Sequence, residues 1–481
     1  MKGKTIKKDG LIGGTIWTSI SFVVVTFVYL LRLSILTRFL DKADFGLVAI
    51  VLFVLGFTNI FADLGVSTSI LSQKKITKLE YSSLYWGGLL LSFLLYIIIS
   101  LSSFVFADFY DEAKLKDLIP IMGLDLIISS IGRQFSVFKQ KEFKFKELAV
   151  IKIISEISSL IVASLLAIQG FGVWSLVFSL LTASVINSAL NFILGYKSHS
   201  LIFAMNIKDT KHLYRIGFFQ TGAQILDYIS SQIDILILGK ILPMSDMGVY
   251  SIIKSLVLRI YSSINQIVTK VSIPYFSKLD SKSLVFKTKY LDIIFLVSFI
   301  NTVIYTIVII SSREILFLLY GAQYREYHYL LGILSVWGFF ASVINVASVI
   351  IVVATGRTDL GFKWTQIRLL LNPVFILIGG YFFGMIGIAI SQAIYSVLII
   401  LLYRRVVIRH IIHTMSDYEM ILTFIKPLIV AIAIVIFSLL IFDMFKVDNV
   451  FISLSLKTIT VLIVFTFIFI RNVKETIVKL K

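Results

Sequence analysis

Long uncharged apolar runs constrain this chain more than any other feature. WGGLLLSFLLYIIISLSSFVFA, at 86–107, holds no charged side chain. Coiled as a helix that rises about 1.5 Å per residue, such a run crosses the roughly 30 Å hydrocarbon layer of a bilayer. Backbone polar groups find no water there, so the segment must satisfy them itself, as a helix does. Comparable runs recur about fourteen times, near 12–36, 45–71, 83–107, 118–136, 148–169, 172–195, 214–238, 246–269, 290–311, 328–354, 361–382, 384–403, 427–445 and 450–470. The first is too long for a signal peptide and lacks a small-x-small cleavage site, so a retained helix is expected. The chain is 58% hydrophobic over 481 residues, against about 45–50% for a soluble domain. The expected fold is an all-α integral membrane protein with about 14 transmembrane helices.

The net charge of +18 invites a nucleic-acid reading, but its placement argues otherwise. With the N-terminus inside, 32 of the 45 Lys and Arg residues fall in inside segments and only 8 in outer loops. Among the inside segments is RQFSVFKQKEFKFKE (133–147). This is the positive-inside bias of a multi-pass protein facing anionic lipid. It predicts both termini on the cytoplasmic side and no nucleic-acid partner.

One turn is written twice. LTRFLDKADFGLVAI (36–50) and LGKILPMSDMGVYSI (238–252) share L-x-[RK]-[FI]-L-x-x-x-D-[FM]-G-[LV], each matched position 202 residues apart. Six spans separate the copies, so both turns face the same side. The halves are therefore parallel repeats about an axis along the membrane normal. GFGVWSLV (170–177) and GMIGIAIS (384–391) form a weaker echo, each a short glycine turn between the fifth and sixth spans of a half. The expected organisation is a six-helix lobe over 1–196, a second over 197–403, and two additional helices in 404–481. Duplicated transporters of this kind enclose a midplane cavity between their halves.

Ionisable side chains at membrane depth are expensive and face a wet interior. On the seventh span Gln220, Gln224, Asp227, Ser231 and Asp234 recur at spacings of 4, 3, 4 and 3, one helical face and an expected cavity wall. The eighth span carries Ser255, Arg259, Ser262 and Gln266, with Lys254 beside them. Arg32, Lys254 and Arg259 are the candidate substrate-binding cations. Asp125, Asp227 and Asp234 are the candidate coupling or gating carboxylates, driven by a proton or sodium gradient. Arg32 and Asp234 occupy equivalent positions of the repeat, so a salt bridge closing the outer end is one reading and independent snorkelling is the other. Lys152 and Glu156 read as a neutralising helix pair, and Asp63 as a turn or cap residue beside Gly65.

No catalytic grouping, P-loop or nucleotide motif is present. The five histidines (His199, His212, His328, His410, His413) show no ligand-like clustering, so neither a metal nor a cofactor is expected. With no cysteine, there is no disulfide framework.

The stretches LTRFLDKADFGLVAI, FADLGVSTSILSQKKIT (61–77), FGVWSLV (171–177), DILILGKILPMSDMGVYS (234–251) and IPYFSKL (273–279) resemble Wzx-type polysaccharide flippases. These belong to the multidrug/oligosaccharidyl-lipid/polysaccharide exporter superfamily, and the closest branch includes the colanic-acid and teichuronic-acid exporters. DKADFG departs from relatives that often carry proline in that turn. The resemblance implies a non-enzymatic flippase that moves undecaprenyl-pyrophosphate-linked oligosaccharide across the cytoplasmic membrane by alternating access, for surface polysaccharide or lipopolysaccharide synthesis. A drug/cation antiporter of the same superfamily is the alternative. A membrane-embedded glycan polymerase or ligase is a more distant one, because the outer loops are short.

Overall fold

The computed structural model describes residues 8–73, 76–203, 207–412, 415–442 and 449–480. Among them every regular element is a helix. The chain forms two compact units, Met1–Gly248 and Val249–Lys481. The first holds α1 (Lys8–Phe39), α2 (Lys42–Asp63), α3 (Val66–Ser72), α4 (Lys78–Tyr110), α5 (Leu115–Lys141), α6 (Phe145–Ile168), α7 (Val173–Tyr196) and α8 (Ile207–Ile241). A ninth helix, α9 (Met244–Phe276), begins at the end of this unit and continues into the second. There follow α10 (Leu284–Ile310), α11 (Ser312–Tyr320), α12 (His328–Thr355), α13 (Thr358–Tyr403), the single turn α14 (Arg409–Ile411), α15 (Asp417–Phe442) and α16 (Val450–Leu480).

Thirteen of these helices are at least 22 residues long, and α13, at 46 residues, is two helices joined across a break at Phe383 and Gly384. The long segments thus number fourteen among the described residues. Nine helices there are long and apolar enough to cross a membrane, the interrupted α13 being one. α5, α8 and α9 are also long, at 27, 35 and 33 residues. Large apolar side chains such as Val23 and Phe467 are exposed at 65% and 86%, as lipid-facing positions of a multi-pass membrane protein are.

Both glycine turns adopt one backbone conformation. Gly172 has φ 53° and ψ −130°, and Gly384 has φ 56° and ψ −140°. That region is closed to side chains with a Cβ, which explains why glycine stands at each.

The repeated turn has a physical role in the first unit. A Cβ on Gly46 would strike the Met244 carbonyl oxygen, and one on Gly248 would strike the Lys42 carbonyl oxygen. Residues 42 and 244, like 46 and 248, are 202 apart. The two copies therefore pack on each other reciprocally, backbone against backbone, as self-complementary surfaces do. Nearby, α8 lies on α2: Tyr228 stacks on Phe53 with centroids 5.8 Å apart, and its hydroxyl donates to the Phe53 carbonyl oxygen at 2.9 Å.

In the second unit α15 and α16 pack on α10. Ala431, Ile434, Val461, Phe465 and Phe469 form a buried cluster against Phe295, Phe299 and Val303. Ion pairs hold both ends. Lys287 Nζ lies 2.8 Å from Glu419 Oε1, and the Lys287 hydrogen bond, with the Ser416 backbone, holds the Glu419 carboxyl down at about 2. At the other end Glu314 Oε1 accepts from Lys457 Nζ at 2.7 Å and from Ser453 Oγ at 2.8 Å. Burial pushes the Glu314 carboxyl up, but hydrogen bonds from Lys457 and Ser453 outweigh it and the net direction is down.

A carboxyl depressed on folding stabilises the protein above its unfolded value of about 4.3 and loses that contribution as pH falls. Glu314→Gln, which removes the carboxylate charge that faces Lys457, is expected to lower stability by about 2 kcal/mol at neutral pH. Thermal unfolding in detergent checks this: the gap between the two proteins should close as pH drops below about 4. Equal melting temperatures at neutral pH would show that the pair contributes nothing.

Candidate functional site

The first unit contains a cavity of about 350 Å³ bounded by four helices. α5 supplies Asp125, Ser129, Gly132, Arg133, Ser136 and Val137; α7 supplies Ala183, Ser184, Asn187 and Ser188; α2 supplies Asn59 and α6 supplies Lys152. Asp125, Ser129 and Arg133 are successive positions four apart, so they stack along one face of α5. Ser184, Asn187 and Ser188, at spacings of three and one, share a face of α7 in the same way.

Arg133 organises the site. Its Nη2 donates to Asn59 Oδ1 and to Ser129 Oγ, both at 3.1 Å. The carboxylates of Asp63 and Asp125 both act electrostatically on its guanidinium. Asp125 accepts a hydrogen bond from Ser184 Oγ, and Ser188 Oγ donates to the Ile128 carbonyl oxygen. Asp63, the last residue of α2, accepts from Ser67 Oγ at 2.5 Å across the turn that separates α2 from α3. It therefore serves as a turn residue, as its position beside Gly65 suggested, and also as a counter-charge for Arg133.

Lys152 lines the cavity from α6 and pairs with Glu156 at 2.9 Å. Glu156 is shared: Arg32 Nη1 lies 3.4 Å from its other oxygen and also donates to Ser159 Oγ. Ser159 Oγ donates in turn to the Ser179 carbonyl oxygen at 2.7 Å, so α1, α6 and α7 are linked through one polar chain.

A lining of hydroxyls and amides can donate and accept at once, which is what a sugar or a hydrated head group needs. Two lining cations against one lining carboxylate favour an acceptor-rich ligand over a cation. Among the described residues no group of three or more His, Asp or Glu side chains could hold a metal ion.

Of the candidate binding and coupling residues named from sequence, Asp125 lines this cavity, and Lys152, read there as half of a helix pair, lines it as well. Arg32 is buried at 5% exposure, with the Tyr29 ring 5.6 Å from its guanidinium carbon. On α8, Gln224, Asp227 and Ser231 are exposed, whereas Asp234 is buried and its Oδ1 accepts from the Ile235 N–H at 3.0 Å. Gln220 lies on α8 with its side chain outside the described residues, and His413 is outside them altogether. In the second unit Lys254 is buried with its ammonium 5.9 Å from the Trp337 ring. Arg259 and Ser262 are half-buried, Ser262 Oγ donating to the Arg259 carbonyl oxygen at 3.0 Å, and Gln266 is exposed.

In the sequence Arg133 falls both in the apolar run 118–136 and at the start of the basic inside segment 133–147. α5 continues to Lys141, so Arg133 sits within the helix. The signal was available: Asp125, Ser129 and Arg133 obey the same helical spacing as the α8 stripe. The Lys-rich run that follows draws Arg133 into the inside charge count and hides its place on this helical face. Asn59, Ser184, Asn187 and Ser188 carried no such signal, since isolated hydroxyls and amides in apolar helices also serve as interhelical contacts.

Comparison with known proteins places the chain. A family described as "Polysaccharide biosynthesis protein" matches residues 35–329. The lipopolysaccharide biosynthesis protein WzxC of Escherichia coli (strain K12) is 24% identical over 388 residues, covering 80% of this chain and 78% of that protein. The teichuronic acid biosynthesis protein TuaB of Bacillus subtilis (strain 168) is 23% identical over 394 residues, covering 82% and 81%. Among solved structures, the lipid II flippase MurJ in an inward closed conformation superposes with TM-score 0.75 at 18% identity, over 96% of this chain and 99% of that one. An inward-facing multidrug resistance MATE family transporter superposes with TM-score 0.59 at 15% identity, over 80% and 97%. At these identities the structural likeness concerns the fold.

Proposed function

The chain belongs to the polysaccharide biosynthesis protein family, and from that premise we propose that it flips a lipid-linked oligosaccharide across the cytoplasmic membrane. The carrier is undecaprenyl pyrophosphate, and the product feeds surface polysaccharide or lipopolysaccharide synthesis. The observation that carries this reading is the charged, hydroxyl-lined cavity of about 350 Å³ within a bundle of membrane-crossing helices. A glycan is too polar for hydrocarbon and needs such lining, while its lipid tail remains in the bilayer. The relatives WzxC and TuaB support the substrate class, and the likeness to MurJ supports a fold compatible with flipping.

In this reading two six-helix repeats, 1–196 and 197–403, alternate access, and the helices of 404–481 are additional. The reciprocal turn at Gly46 and Gly248 and the shared conformation of Gly172 and Gly384 support that repeat. Arg32, Lys254 and Arg259 contact the phosphate-bearing head group in a state of the cycle that uncovers Arg32 and Lys254, both buried here, Arg being suited to it by its forked donors. Asp125, Asp227 and Asp234 serve coupling to a proton or sodium gradient, or gating. Gln220, Gln224, Ser231, Ser262 and Gln266 supply hydration to the path. The protein is a transporter without a chemical step, and both termini are cytoplasmic, as the distribution of Lys and Arg supports.

A drug/cation antiporter shares the superfamily, but Arg133 and Lys152 in the cavity disfavour an organic cation. The test is leaflet exchange of a fluorescent polyprenyl-diphosphate oligosaccharide in vesicles reconstituted with the protein. Exchange should exceed that of protein-free vesicles. Background exchange, accompanied by efflux of a cationic dye, would replace the flippase reading with the antiporter.

A further inference from the structure

Two cations converge on one buried carboxylate. Glu156, 9% exposed, meets Lys152 Nζ at 2.9 Å through Oε1 and Arg32 Nη1 at 3.4 Å through Oε2. The two cations differ in access. Arg32 is enclosed, its side chain 6% exposed, whereas the Lys152 side chain is 49% exposed and lines the cavity. Arg32 belongs to α1 and Lys152 to α6, so this carboxylate joins the first helix to the cavity wall.

One negative charge between two positive charges is divided between them, and whatever neutralises one cation leaves more for the other. We propose that Glu156 is a positioning carboxylate that transmits occupancy of the cavity to α1. When an acceptor-rich group of the ligand engages Lys152 Nζ, Glu156 turns its charge to Arg32, and α1 tightens against α6 through Arg32, Ser159 and the Ser179 carbonyl. When the ligand leaves, Lys152 reclaims its share and the hold on α1 relaxes. The ligand contacts the lysine and not the carboxylate, so the coupling comes from a differential interaction with two states of the trio. The identity of the ligand rests on the proposed flippase reading; the charge-sharing trio does not.

The natural chain has no cysteine, so a single Val23→Cys on the exposed face of α1 can carry a spin label. Its mobility is recorded in nanodiscs for the otherwise natural chain, for Lys152→Gln and for Glu156→Gln. Lys152→Gln mimics the occupied state and should immobilise the label; Glu156→Gln removes the hold and should free it. Undecaprenyl diphosphate, added as the probe, should move the natural chain toward the Lys152→Gln spectrum and leave both variants unmoved.

A merely structural trio predicts that both substitutions loosen α1, so shifts in the same direction overturn the proposal. It is likewise overturned if either variant still responds to the probe, or if the natural chain does not. Lys152 is half-exposed, so its variant keeps the test decisive even where Glu156→Gln fails to fold: it alone must immobilise the label and abolish the response. Should these shifts appear while the natural chain exchanges no oligosaccharide between leaflets, the flippase reading falls and the charge-sharing trio stands.

Discussion

Gly248→Val is expected to leave almost no folded protein in the membrane. At Gly248 an added Cβ would meet the Lys42 carbonyl oxygen head-on, with the Lys42 carbonyl carbon at 2.9 Å and the Gly46 nitrogen at 3.0 Å. All three obstacles are backbone atoms of a helix start, which cannot rotate aside as a side chain would. Overpacking a core position costs about 1–3 kcal/mol when side chains can shift; here the start of α2 must move as a whole, and valine adds two methyls to the clash. Gly46→Val should behave alike, since its own Cβ meets the Met244 carbonyl from the reciprocal side, with the Gly248 nitrogen at 3.2 Å. The control is Gly222→Ala on α8, where nothing lies within 4 Å of the new atom; it should change stability by no more than about 0.5 kcal/mol. Size-exclusion profiles of detergent-extracted fusions read all three. A monodisperse Gly248→Val protein at natural yield would refute the backbone-to-backbone seat of the repeated turn.

Arg133→Ala is expected to have the largest effect on transport. The substitution removes the one side chain that bridges Asn59 on α2 to Ser129 on α5, and it leaves Asp63 and Asp125 without the cation that acts on both. Truncating one member of a desolvated, hydrogen-bonded charge group costs about 2–5 kcal/mol. If that energy is lost from the transport cycle, oligosaccharide exchange falls on the order of 100-fold. Arg133→Lys keeps the charge but not the fork, so it should recover part of the rate. The double variant Arg133→Ala with Asp125→Asn should exceed Arg133→Ala alone, because one orphaned carboxylate is neutralised. Exchange rates are compared at equal folded protein in the vesicles. Natural exchange in Arg133→Ala would remove this cavity from the mechanism.

Several features were legible in the chain for clear reasons. Gly384 could be anticipated as a break because glycine alone tolerates the backbone that joins two spans there, and it stands between two apolar runs each long enough to cross. The pair Lys152 and Glu156 could be anticipated because helical residues four apart are neighbours whatever surrounds them. The doubled turn was legible as a doubling, but not as a contact: that residues 42–46 and 244–248 touch depends on how α8 returns to α2.

Arg133 is hard to assign from sequence because it lies where the run 118–136 overlaps a Lys-rich inside segment, and composition does not say which of the two its side chain serves. The α8 stripe illustrates the converse. Its spacing was right, yet it put Asp234 in a buried position and Asp227 in an exposed one, a difference that periodicity does not carry.

What the sequence by itself determined is the all-helical, membrane-crossing class, the number of long segments and the duplicated turn. Each follows from local terms: the transfer energy of a run of side chains, the obligation of every backbone group to bond within its own segment, and the steric freedom of glycine. Only the tertiary structure decided that Asn59, Asp125, Arg133, Lys152 and Ser184 face one cavity, and that Arg32 and Lys152 share Glu156. Those groups come from five different helices, and their meeting depends on the rotation of each helix about its axis. Packing of the whole bundle sets that rotation, and it leaves no trace in the spacing along any one segment.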